Sequence, residues 1–95
     1  MGTKNQQELL KFLGPEYSIK TIDLESCLYR KINGHYDIEI SGTARKNHPI
    51  SVFVWDISNG EGVSAAIVEK HFDITDWESL KALLDTLNKK YQDLA

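Results

Sequence analysis

The chain has one cysteine among its 95 residues, no excess of basic residues, and no apolar run longer than a few residues. A lone cysteine excludes an internal disulfide and any zinc site built on several thiolates. The short apolar runs exclude a membrane-spanning helix, which needs about 20 apolar residues in succession. Lys and Arg number 11 against 14 Asp and Glu, a net charge of −3, so the basic excess of a general nucleic-acid binder is missing. The opening Met-Gly-Thr-Lys-Asn-Gln-Gln has no apolar h-region, and Gln6 stands where a myristoylation motif on Gly2 requires Ser or Thr. No internal repeat, linker or low-complexity tract is visible. These absences lead to an expectation of one small cytoplasmic domain over residues 1–95, with no membrane segment.

What remains is ordinary globular composition, 41% hydrophobic and 26% charged, with clear local signals. Residues 5–13 read as a short helix, with Asn5 as cap, Glu8 completing a capping box and Gly14-Pro15 as the stop. Residues 17–24 look extended, but Tyr17 and Ile19 share one phase while Ile22 and Leu24 share the other. A bulge or change of partner near Lys20-Thr21 is the expected cause. Residues 50–57 are the most strand-like segment, with Ile50, Val52 and Val54 on one face and Phe53, Trp55 and Ile57 on the other. A turn at residues 58–62 leads into a long strand over residues 63–74. Thr75 and Glu78 form a second capping box. Trp77, Leu80, Leu84, Leu87 and Tyr91 then follow at intervals of three and four, the stripe of an amphipathic helix.

Between these lies Asn33-Gly34, joining two alternating runs. Asn-Gly is the strongest short-range signal for a hairpin closed by a type I′ turn. A two-residue turn there sets Arg30 opposite Asp37, Tyr29 opposite Ile38 and Cys27 opposite Ile40. It assigns Tyr29, Ile38, Cys27 and Ile40 to the core, and Leu28, Arg30, Asp37 and Glu39 to a wet face.

No constellation points firmly to catalysis. His35, Asp37 and Glu39 alternate on one strand, so they share a face, but same-face neighbours are about 7 Å apart and no fourth metal ligand is evident. Cys27 falls on an expected core face and lacks any cysteine-enzyme signature. The glycine-containing turn at residues 58–62 has no P-loop lysine and joins two strands. Arg45, Lys46 and His48 make the one basic cluster, able to touch phosphates. The order helix, strands, helix resembles that of double-stranded-RNA-binding domains. Their lysine cluster at the second helix is here Asp76, Trp77 and Glu78, which repel phosphate.

The resulting expectation is an α+β domain: a short N-terminal helix, a four- to five-stranded, mostly antiparallel meander sheet, and a C-terminal amphipathic helix packed on it. A strand apolar on both faces needs cover on both, and two helices sharing one side leave the other open. The sequence therefore points to a non-catalytic protein-interaction module, a homodimer or a binder of another cytoplasmic protein, using Phe53, Trp55, Ala65 and Ile67. The alternative is a nucleic-acid-associated accessory protein using Arg45, Lys46 and His48. No metal, small-molecule cofactor or enzyme activity is expected.

Overall fold

The computed structural model describes residues 2–22, 24–60 and 62–94, without the side chains of Ile22 and Val63. Thr3 starts the first element. Its hydroxyl accepts from the Gln6 N–H at 3.2 Å, and the Gln6 side chain accepts from the Thr3 N–H at 2.9 Å. This reciprocal box caps α1, Lys4–Leu13, ahead of the expected Asn5 cap. The earlier start places Gln6, Leu9 and Leu13 on the buried side. Gln6 is satisfied there, donating to Ser26 O and Thr43 Oγ1. Gly14 closes the helix at φ 113°, its N–H bonded to Leu10 O.

Five strands follow: β1 Ser18–Ile22, β2 Glu25–Lys31, β3 Tyr36–Ser41, β4 Ile50–Asp56 and β5 Ala66–Ile74. They pair antiparallel in sequence order, an open meander, and α2, Trp77–Asp93, ends the fold. The architecture is α+β. Asp76 caps α2, accepting from Ser79 N at 2.7 Å, one residue later than the expected Thr75. Leu9 and Leu13 of α1 and Leu80, Leu84, Leu87 and Tyr91 of α2 meet Leu28, Ile38, Ile40, Val52 and Val54 in one core. Both helices therefore cover the same side of the sheet. No helix of the described residues is long and apolar enough to cross a membrane.

The β2–β3 hairpin departs from its expected register by one residue. Tyr29 faces Glu39, Arg30 faces Ile38 and Lys31 faces Asp37. The turn is not type I′, since Gly34 is not among the glycines at positive φ. Instead the Asn33 side-chain oxygen accepts from His35 N at 2.8 Å and Tyr36 N at 3.1 Å, while Tyr36 O accepts from both Ile32 N and Asn33 N. An Asx turn thus spans one residue more than a two-residue turn. Asn33 also donates to Tyr91 O, fixing the loop to α2. A one-residue slip exchanges the two faces of a strand. Here it unites Leu28, Ile38 and Ile40 in the core, which the expected register would have divided.

Two further expectations change. β1 pairs with β2 without a bulge. Leu24 is simply the exposed residue of the β1–β2 turn, at φ 67°, while Asp23 and the Ile22 side chain lie outside the described residues. The expected strand over 63–74 begins instead with a 3-10 turn, Gly62–Ser64, and becomes extended only at Ala66. Glu61 and the Val63 side chain lie outside the described residues.

Candidate functional site

The side of the sheet away from the helices is built from the second phase of each strand. Val52 and Val54 face Ile40 and Ile38 in the core, so the alternation of β4 turns Phe53 and Trp55 outward. Register then sets their neighbours. Phe53 lies between Glu39 on β3 and Lys70 on β5, and Trp55 lies between Asp37 and Ile67. The pairing of β5 shifts between Val54–Glu69 and Trp55–Ile67, leaving Val68 as an extra residue opposite Trp55. A second shift near Asp73, itself at φ 60°, precedes Ile74.

The resulting face is a half-exposed apolar patch threaded with charge. Phe53 and Phe72 meet edge to face with ring centroids 5.8 Å apart. Phe72 is 56% exposed, Val68 47% and Ile67 44%, while Phe53 and Trp55 are half-buried. The Trp55 indole N–H donates to Glu39 Oε1 at 3.1 Å, holding ring and carboxylate in fixed relation. Farther out, the Lys20 ammonium lies 4.2 Å from the Tyr29 ring centroid.

Of the residues singled out from sequence, Phe53, Trp55 and Ile67 come together on this face. Ala65 lies just before β5, half-buried, with its N–H bonded to Gly62 O. Phe72, Val68, Lys70 and Tyr29 complete the face and were missed. The bulges scramble the two-residue period of β5, and the shifted hairpin hid Tyr29.

Asp37 and Glu39 also belong to this face, but His35 sits in the β2–β3 turn, so the expected trio divides. Asp37 is buried beside its register partner Lys31, not solvated as expected. Cys27 is not on the core face expected for it. It pairs with Lys20 across β1, is nonetheless buried, and donates its thiol to Lys20 O at 3.4 Å. Burial, reinforced by nearby Glu39, pushes that thiol up to about 12, which leaves it protonated and a poor nucleophile.

Arg45, Lys46 and His48 lie exposed on the β3–β4 loop, which Thr3 and Asn5 bind to α1 through Ala44 O and Thr43 O. With Trp77 they line a groove of about 390 Å³, which Glu8 and Asp76 also line.

On the helix side of β5, Glu69 accepts from Tyr91 Oη at 2.6 Å, His71 Nε2 at 2.7 Å and Lys90 Nζ at 2.8 Å. Burial alone would raise its pKa, but these hydrogen bonds together outweigh it and hold the carboxyl at about 2. The cluster fastens α2 to the edge of the sheet. Among the described residues no three His, Cys, Asp or Glu side chains converge as a metal site. Comparison with family models, curated proteins and solved structures finds no match.

Proposed function

We propose that this protein is a non-catalytic interaction module that binds another polypeptide on the open face of its sheet, around Phe53, Trp55 and Ile67. The observation that carries this reading is the contiguous run of Phe53, Trp55, Ile67, Val68 and Phe72 outside the helix-covered core. An exposed apolar patch rimmed by charge is the common mark of a protein contact surface. Aromatic rings contribute much contact area there at low entropy cost, and the bond from Trp55 to Glu39 reduces that cost further. A cytoplasmic setting suits the lone buried thiol and the charge of −3. The phosphate-binding alternative has weaker support, because Glu8 and Asp76 share the groove of Arg45, Lys46 and His48.

A photo-reactive phenylalanine at position 72 tests the reading in living cells, with the same group at exposed Glu78 of α2 as control. The expected result is a polypeptide adduct from position 72 alone, lost when Ile67→Lys is added. No adduct from position 72, or adducts equal at both positions and insensitive to Ile67→Lys, would overturn it.

A further inference from the structure

We propose, building on the interaction reading of this face, that its partner is a second copy of this chain, docked sheet to sheet about a two-fold axis parallel to β4. The pattern of charge carries the inference. Across the middle of the face, register places Glu39, Phe53 and Lys70 in one row, on β3, β4 and β5. The row is acidic on one side of its aromatic centre and basic on the other. A two-fold rotation about an axis parallel to β4 and midway between the two sheets lays β3 of each copy over β5 of the other. Glu39 then meets Lys70 of the second copy, and Lys70 meets Glu39, while Phe53 and Trp55 pack on their own equivalents. An isologous contact requires this self-complementarity. Sheets packed face to face lie about 10 Å apart with strands rotated by about 30°, a spacing that side chains of this size fill.

The geometry also disfavours self-association through the β5 edge. The pairing of β5 shifts register on both sides of residues 69–71, and bulges flanking a lysine are a way in which edge strands are kept from adding another strand.

The contact is small. Three strands about 4.8 Å apart and about 20 Å long give a footprint on the order of 300 Å² per copy, against roughly 800 Å² for a stable complex. The dimer is therefore weak and exchanging.

Sedimentation of the purified full chain from about 1 µM to about 1 mM, the range in which weak, exchanging contacts form, tests the inference. The wild type is expected to shift from monomer to dimer. Glu39→Lys and Lys70→Glu, each alone, place like charges together at both contacts and should weaken self-association at least about tenfold. Mixing the two variants restores opposite charges at both contacts, so association should return to within about threefold of wild type. Misfolding or loss of the Trp55 bond in Glu39→Lys cannot be rescued by mixing, so the recovery is specific to the docked geometry. A wild type that stays monomeric throughout, or single variants that mixing does not rescue, overturns the inference. The photo-adduct from position 72 separates this failure from that of the broader reading. An adduct of twice the chain mass supports self-docking, one of any other mass refutes it while sustaining the interaction module, and none refutes both.

Discussion

Replacing Glu69 by Gln removes one charge from the contact between β5 and α2 and leaves the shape of the side chain unchanged. In the native protein the Glu69 carboxyl is lowered from 4.5 to about 2, where burial is outweighed by hydrogen bonds from Lys90, Tyr91 and His71. A folded pKa below the unfolded one means that the ionised group stabilises the native state fully above about pH 4.5. The contribution is then lost as pH falls through about 2. The whole displacement corresponds to a ceiling of roughly 3 kcal/mol. Lys90 is 52% exposed, so solvent screening reduces the expected value to about 1–2 kcal/mol. For a domain of this size that is a fall in melting temperature of about 5–10 °C at neutral pH. Thermal unfolding followed by circular dichroism, for both proteins at pH 7 and at steps down to about pH 2.5, measures it. The deficit of Glu69→Gln should be largest at neutral pH and should shrink several-fold by the acid end. Equal melting at pH 7 would refute the reasoning. So would a deficit that persists unchanged in acid, which would mean that packing, not charge, joins α2 to the edge strand.

Two other substitutions test the fold that presents the face. Leu84 is buried in the α2 stripe, so Leu84→Ala should cost about 2–5 kcal/mol, a large part of the stability of a small domain. A melting curve within error of wild type would place α2 elsewhere. Leu24 is fully exposed at φ 67°, a left-handed conformation that leucine adopts at a cost and asparagine tolerates. Leu24→Asn should raise stability by about 0.5–1 kcal/mol in chemical denaturation, and a lowered midpoint would show that the leucine makes a stabilising contact.

Where local chemistry suffices, the sequence alone determined the outcome. The leucines of α2 recur at helical spacing and bury as that spacing requires, because one face of a helix is fixed by period alone. β4 is apolar in both phases, and this announced a sheet with one face to spare before any partner strand was known. The hairpin shows where local information ends. Asn33-Gly34 permits a two-residue turn or a longer Asx turn, and the two differ by one residue in register. Burying Leu28 together with Ile38 and Ile40, and bonding Asn33 to Tyr91 O across 58 positions of chain, decides between them. Both are long-range gains that no window of sequence contains. The same holds for the open face. Its width, the addition of Tyr29 and Phe72, and the row of Glu39, Phe53 and Lys70 depend on cross-strand register and on two bulges in β5. Alternation assigns a residue to one side of its own strand, but only the tertiary pairing of strands determines which side chains become neighbours, because register is set by the burial of the whole sheet.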